Sequence, residues 1–389
     1  MSTTRILLVS SVTPKPTGFG EITLHRHLTG DARLEVEVVQ LPEASRAMRL
    51  LWRTPLVSLI QARYVREEGR RWDVPGRAAA AAFKPDVILT IAAGDGCHAA
   101  LRLARELALP LVTIFHDWWP DLVPASERAA EEVRFRALYE GSAIALCVSE
   151  GMRRALGEHP DSRLLWPIPG KPEPVEPAGA AAPGPADAPF KICYSGNLRE
   201  YAAMLQKALQ ALRGHKSVRL EVRGMAPRWP AAFRDEMLAA GTYHEFAPRE
   251  ELEGWLRSAD AFLVTTAFEP EMRRMMETNF PSKLLEFARF GRPLVAWGPE
   301  YSSLIRWAQP AGRACCVTDP DPAALIGALE QLAASPGERA RLGHEATAAM
   351  HREFDPALLQ EQFVQAMGAA ASHNHPRPAP AMVRQLELK

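Results

Sequence analysis

No charge of either sign dominates this chain. Its 389 residues carry 46 Lys and Arg against 46 Asp and Glu, a formal net charge of zero. That balance argues against nucleic acid as the main partner. Cysteine is scarce: Cys97, Cys147, Cys193, Cys315 and Cys316, with no Cys-x-x-Cys spacing. An odd number of thiols in apolar surroundings fits a reducing compartment rather than a disulfide framework. Vicinal Cys315 and Cys316 read most simply as part of a strand. Long apolar runs are missing too. The run 6–10 is too short for a secretory signal, and no stretch reaches the length of a membrane span. The expectation is a cytoplasmic protein. Metal-ligand spacing is also lacking. The string Asp319-Pro-Asp321 sits in a Pro-rich helix lead-in, where capping accounts for it. Neither a metal nor a bound cofactor is expected, and no Ser/His/Asp or Cys/His nucleophile arrangement stands out.

What is present is the composition of a folded protein, 47% hydrophobic and 24% charged. A chain of 389 residues exceeds one ordinary core, so two domains are expected. Residues 5–10 read as a buried parallel strand, and strand-like runs recur at 34–40, 86–92, 111–115 and 143–148. Helical patterns lie between them, at 21–28, 97–108 and 127–140 for example. This alternation predicts a doubly wound parallel sheet over 1–168. Residues 169–189 are rich in Pro and Ala and read as a linker. The pattern then restarts over 190–352, with strands at 190–195, 218–223, 243–246, 261–265, 294–297 and 314–317. Its helices fall near 202–213, 249–257, 282–290 and 321–334, with a charged helix at 336–352. A last helix is expected at 353–369 and a disordered tail at 370–389.

The most informative stretch, 280–293, reads Phe-Pro-Ser-Lys-Leu-Leu-Glu-Phe-Ala-Arg-Phe-Gly-Arg-Pro. Pro281 suits the first turn of a helix, where a missing N–H costs nothing. Ser282 offers a hydroxyl there and Lys283 a cation, while Gly291 and Pro293 stop the helix. Free N–H groups beside a lysine make a site for a phosphate. One turn on, Glu286 is placed to accept hydrogen bonds from sugar hydroxyls. A nucleotide sugar carries both groups; the plain alternative is an ordinary helix cap.

Pro281, Lys283, Glu286, Gly291 and Pro293 together resemble the donor-binding signature of GT-B glycosyltransferases, especially the retaining family four. The resemblance implies two Rossmann-like domains facing a cleft, a nucleoside diphosphate sugar as co-substrate, and Glu286 on its ribose. It also implies that the helix at 353–369 returns to the first domain. Many members carry Glu-x7-Glu; here the first of these positions is Thr278, with Glu277 one residue off.

Three further segments are similar to parts of that family. The loop containing Gly18 and Gly20 resembles its glycine loop near donor phosphate and acceptor, though a plain turn fits as well. His116 looks like the family's histidine near the donor sugar, able to hydrogen-bond a hydroxyl or assist proton transfer. Beside it, Asp117, Trp118 and Trp119 are candidate acceptor contacts, with the indoles offering flat apolar faces; packing and capping are the alternative. Gly196, Asn197 and Arg199 resemble the loop that faces the diphosphate; Arg199 equally reads as a solvated cation. The segment 243–246 is expected near the base.

Residues 46–71 interleave seven arginines with apolar side chains. A cationic amphipathic segment of this kind either lies on an anionic membrane surface or forms a helical pair with its arginines in water. The resulting expectation is a metal-independent, retaining glycosyltransferase of bacterial glycan or glycoconjugate biosynthesis, acting on an unidentified acceptor. A non-catalytic nucleotide-sugar-binding relative and a nucleotide-sugar epimerase of the same fold stay open.

Overall fold

The computed structural model describes residues 3–16, 20–39, 71–169, 188–196, 198, 200–225 and 227–372. Gly18, Asn197, Arg199, nearly all of the basic stretch 46–71 and of the linker 169–189, and the tail beyond 372 lie outside these residues. By packing the chain divides into two compact units. Of the described residues, the first takes those up to Val148, Met152–Leu165 and those from Gln360 to Ser372; the second takes Ser149–Gly151 and those from Trp166 to Leu359.

In the first unit the described elements run β1 (Thr4–Leu8), α1 (Gly20–Leu28), β2 (Leu34–Val38), α2 (Asp73–Phe83), β3 (Val87–Ile91), α3 (Gly94–Leu107) and β4 (Leu111–Phe115). A 3-10 turn (Trp119–Leu122), α4 (Arg128–Glu140), β5 (Ile144–Cys147), α5 (Glu150–Leu156) and β6 (Ser162–Leu164) complete it. All its strand pairs are parallel, in the order β2-β1-β3-β4-β5-β6. Every position of β3 and β4 is buried, and all but Thr90 and Thr113 are apolar, as expected for strands covered on both sheet faces. Alternation sends Leu7, Ile88 and Phe115 into one core and Ile6, Leu8, Leu89 and Ile114 into the other.

The second unit runs β7 (Phe190–Ser195), α6 (Ala202–Ala211), β8 (Val218–Arg223), α7 (Ala231–Ala239), β9 (Tyr243–His244), α8 (Arg249–Arg257) and β10 (Ala261–Thr265). After a 3-10 turn (Pro270–Met272) come α9 (Arg273–Thr278), α10 (Ser282–Ala288), β11 (Leu294–Trp297), α11 (Ser303–Ala308), β12 (Cys315–Val317), α12 (Pro322–Ala334) and α13 (Pro336–Arg352). Its sheet is again parallel, ordered β12-β11-β10-β7-β8-β9. The last helix, α14 (Pro356–Ser372), enters the first unit at Gln360. There Phe363, Ala366, Met367 and Ala370 fill the core that Ile6, Leu24 and Ile114 line, at the i, i+3, i+4, i+7 spacing of one helix face.

Each strand order reverses once, beside β1 and β3 in the first sheet and beside β7 and β10 in the second. Open α/β sheets bind ligands at the carboxyl ends of strands next to such a switch point. The segments after β1, β3, β7 and β10 are therefore where chemistry is expected; His116 follows β4, the next strand along.

Two expectations are corrected by packing. Helix α10 ends at Ala288, shorter than 282–290, because Gly291 turns the chain with φ of 60°. The tail does not fray at 370, since Ala370 is buried in the first core and α14 continues to Ser372. The Gly291 turn is itself packed: a Cβ on Gly343 of α13 would lie 2.4 Å from the Gly291 carbonyl oxygen. Gly343→Ala must push α13 off that turn, at a cost of about 1–3 kcal/mol. Chemical denaturation checks this; an unchanged midpoint would show that the helix shifts freely.

Candidate functional site

The second unit brings three of its expected site residues together. A Cβ built on Gly196, just past β7, would lie 3.9 Å from Cγ of Lys283 and 3.2 Å from the Tyr194 hydroxyl. The loop after β7 and the first turn of α10 are thus in contact. Ser282 is exposed at that turn. Lys283 Nζ lies 2.9 Å from Glu286 Oε2, and both side chains are about one-third exposed. The two groups that a nucleotide sugar would engage are here paired with each other. Such a partly exposed pair contributes about 0–1 kcal/mol, so a ligand can separate it at little cost.

The next strand end joins the same surface. A Cβ on Gly224, after β8, would meet the Gly196 carbonyl oxygen at 2.5 Å. Tyr243 is 1% exposed and directs its hydroxyl at the Gly224 carbonyl, 3.4 Å away, so it belongs to the core. His244 is also turned inward, with Nε2 3.0 Å from Glu221 Oε2. Within 243–246 the apolar side chain left at the surface is Phe246, 75% exposed. Met225 is 51% exposed after β8, and the pairing of Arg223 with His244 sets Met225 and Phe246 at matching positions past the two strand ends. The sequence reading missed Met225, because a lone apolar residue after a glycine carries no pattern.

Glu221 is a buried structural carboxylate. It accepts from Lys191 Nζ at 2.9 Å, Trp255 Nε1 at 2.9 Å and Arg219 Nε at 3.0 Å, besides meeting His244. Burial raises its pKa, but these donors together hold it well below the usual carboxylate range.

Thr278 is fully buried, and its hydroxyl donates to the Arg274 carbonyl at 2.8 Å. The neighbouring Glu277 pairs with Arg273 at 2.9 Å. Asp319 and Asp321 behave as capping residues: Asp321 Oδ1 accepts from Ala323 N at 2.9 Å, and Asp319 Oδ1 from Asp321 N at 2.8 Å. Among the described residues no group of three His, Cys, Asp or Glu side chains is placed to hold a metal ion.

The first unit holds Gly20, His116, Asp117, Trp118 and Trp119. Gly20 opens α1, and the acidic Glu21 beside it pairs with Lys15 at 2.9 Å. His116 follows the end of β4 and is partly buried; withdrawal from water lowers its pKa, opposed by the Asp117 carboxylate. The ring is therefore neutral at physiological pH, an acceptor at one nitrogen and a donor at the other. Asp117 is exposed.

Trp118 is not an acceptor platform. It is 0% exposed, meets Phe135 edge-on at 5.1 Å, and lies under the Arg136 guanidinium at 5.4 Å. The turn after β4 swings this indole into the core between sheet and α4. Trp119, partly buried at the start of the 3-10 turn, remains within reach of solvent.

Two outcomes follow. Trp118→Ala should cost about 3–5 kcal/mol of stability, as expected for an emptied core position; an unaltered denaturation midpoint would return Trp118 to the surface. Glu221 has a depressed folded pKa, so its stabilisation is present above the unfolded carboxylate value near 4.3 and is lost as pH falls below it. Glu221→Gln should therefore flatten the loss of stability as pH falls below about 5. Equal slopes in the two proteins would show that the network is not what acid dissolves.

Comparison with known proteins gives this geometry a family. Residues 22–164 match the model described as Glycosyltransferase Family 4, and residues 189–335 match Glycosyl transferases group 1. No curated protein matched significantly. Among solved structures, HepE from Anabaena in complex with UDP is 14% identical with a TM-score of 0.63, covering 94% of this chain and all of its own. A glycosyltransferase from Rickettsia africae is 12% identical with a TM-score of 0.62, over 96% of this chain and 99% of its own. The α,α-trehalose 6-phosphate synthase from Burkholderia multivorans is 14% identical with a TM-score of 0.59, over 97% of this chain and all of its own. At these identities the structures speak for the fold. With both halves matched by consecutive family models and the two parallel sheets in place, the chain belongs to the GT-B glycosyltransferases of the family-four, group 1 kind.

Proposed function

We propose that this glycosyltransferase moves a sugar from a nucleoside diphosphate donor to an acceptor hydroxyl, with retention at the anomeric carbon. The observation that carries the reading is the contact between the Gly196 loop and Lys283 beside the β7/β10 switch point. In it, the diphosphate draws the Lys283 ammonium away from Glu286, with Ser282, the Gly196 loop, Asn197 and Arg199 around the same oxygens. Glu286, released from Lys283, accepts from the ribose hydroxyls. Met225 and Phe246 give the base an apolar platform. The family resemblance assigns Gly18, Gly20 and His116 to the sugar, and Asp117 and Trp119 to the acceptor. The proposal drops Trp118.

The acceptor oxygen bonds to the anomeric carbon on the face from which the diphosphate departs. The C–O bond to the β-phosphate breaks with its electron pair, and the departing phosphate takes the acceptor proton. Negative charge develops on the diphosphate, so a preorganised cation there lowers the barrier most. The cations Lys283 and Arg199 take the neutralising part, and we propose that no metal is required. The complexes of HepE with UDP, and with UDP and glucose, make uridine diphosphate the first probe.

Lys283→Ala should lower kcat by about 10²–10³. Glu286→Ala should raise the donor KM about tenfold or more, the loss of a charged hydrogen bond. Phe246→Ala should weaken UDP several-fold by calorimetry, about 1 kcal/mol. Excess EDTA should leave turnover unchanged. Full activity in Lys283→Ala would remove the phosphate from this site. The inward-turned Thr278 hydroxyl favours a second reading, a non-catalytic nucleotide-sugar-binding protein; UDP binding that is lost in Lys283→Ala, with no turnover across a donor panel, would select it.

A further inference from the structure

His27 is a buried titratable group in the first unit that the proposed chemistry leaves unused, and its surroundings are unusual. It lies on α1, is 1% exposed, and stacks on Phe363 of α14 with ring centroids 4.6 Å apart. Its Nδ1 is 3.4 Å from Gln360 Oε1. The orientation of that amide is fixed independently. Gln360 Nε2 donates to the His27 carbonyl at 3.0 Å and to Asp31 Oδ2 at 3.2 Å. Asp31 in turn accepts from Arg33 Nε at 3.0 Å and Nη2 at 2.9 Å, and Arg33 Nη1 also meets Glu361 at 2.6 Å. A carboxylate and a carbonyl both require the NH₂ side of Gln360, so Oε1 must face the ring. The His27 proton is therefore on Nδ1, and Nε2 carries a lone pair.

That Nε2 is buried and has no hydrogen-bond partner. A buried acceptor left so costs about 1–3 kcal/mol, which calls for a donor. The neighbouring end of β4 indicates which group supplies it. Ile114, two residues before His116, packs in the core shared with α1 and α14. The two imidazoles are near enough that charge on His116 bears on His27.

We propose that His27 is a positioning residue for His116: its Nε2 accepts a hydrogen bond from one ring nitrogen of His116, through a single buried water, and so fixes the His116 tautomer. The other His116 nitrogen is then always the bare acceptor, presented past the end of β4. Asp31, acting through Gln360, sets the direction of the whole chain of bonds. The titratable and charged groups around it are Asp31, Arg33 and Glu361 beside His27, and Asp117 beside His116. Burial lowers the His27 pKa to about 3, so it stays a neutral acceptor across the working range. The consequence for turnover rests on the place given to His116 above; the tautomer does not.

The test is nitrogen-15 NMR of the imidazoles in the full chain, titrated from about pH 5 to about pH 8. Wild type should show His27 neutral with its proton on Nδ1 throughout, and His116 with one protonated and one bare nitrogen above its midpoint. His27→Phe keeps the stacking on Phe363 and removes the acceptor. In it His116 should show averaged nitrogen shifts, and its midpoint should fall by about half a unit or more, since the charged ring loses a hydrogen bond. Should His27→Phe not fold, Gln360→Met reads the same chain: His27 should lose its single tautomer and His116 should follow. His116 shifts and midpoint unchanged in either variant would overturn the proposal. Averaging in His27→Phe combined with full turnover in His116→Ala would uphold the relay while removing His116 from the sugar.

Discussion

Phe280 is wedged among three other aromatic side chains, and the start of α10 depends on it. Its ring centroid is 4.2 Å from that of Trp166, 5.8 Å from Trp307 and 6.1 Å from Phe354. The residues before it are held by their carbonyls. The Ser149 hydroxyl donates to Thr278 O, and the Ser303 hydroxyl to Asn279 O. Gly151 runs so close beneath Glu277 that a Cβ there would lie 1.7 Å from its carbonyl oxygen. Ser149–Gly151, Trp166 and Phe354 are distant from this turn in sequence, yet all of them close on it. Pro281 follows as the N-cap, and Lys283 is then delivered to the Gly196 loop. The motif is short and its helix has seven residues, so it is this packing, more than helix length, that gives the lysine a defined place.

Charged groups in the second unit sort themselves by how much water they keep. Glu221 has four donors and almost no exposure, and removing any one donor leaves a buried charge under-satisfied. Lys283 and Glu286 form a pair one turn apart, about one-third exposed, of the kind that contributes little. The first arrangement is a fixed part of the sheet; the second is open to exchange for a ligand. His244 falls on the structural side of this division, and its place at the end of β9 does not make it a contact for the base.

Much of the fold was legible as pattern. Runs such as 111–115 and 261–265, apolar except for one threonine each, predict strands buried on both faces, and those are the central strands observed. The short edge strand β6 was not legible, because Ser-Arg-Leu is half exposed and lacks any apolar run. Helices α2, α5, α7, α9 and α11 also went unread; four of them have nine residues or fewer, too short for a clear period. In the site, Lys283, Glu286 and Gly196 were legible as residue types in a pattern. Trp118 was misread, because the direction of a side chain just past a strand depends on a turn whose geometry no local pattern encodes.

By itself the order of residues determined that this protein is α/β with two parallel sheets, and that a proline, lysine and glutamate open a short helix between two strands. Period and turn chemistry are local properties, readable along the chain. Only the tertiary structure decided which groups are buried and which meet. It turned Trp118, Tyr243 and Thr278 inward, left Phe246 and Met225 outside, set Lys283 against Gly196, and closed Gln360 over His27. These pairs are separated by tens to hundreds of residues, and their contacts arise from packing the helices on the sheets, which no short stretch of sequence contains.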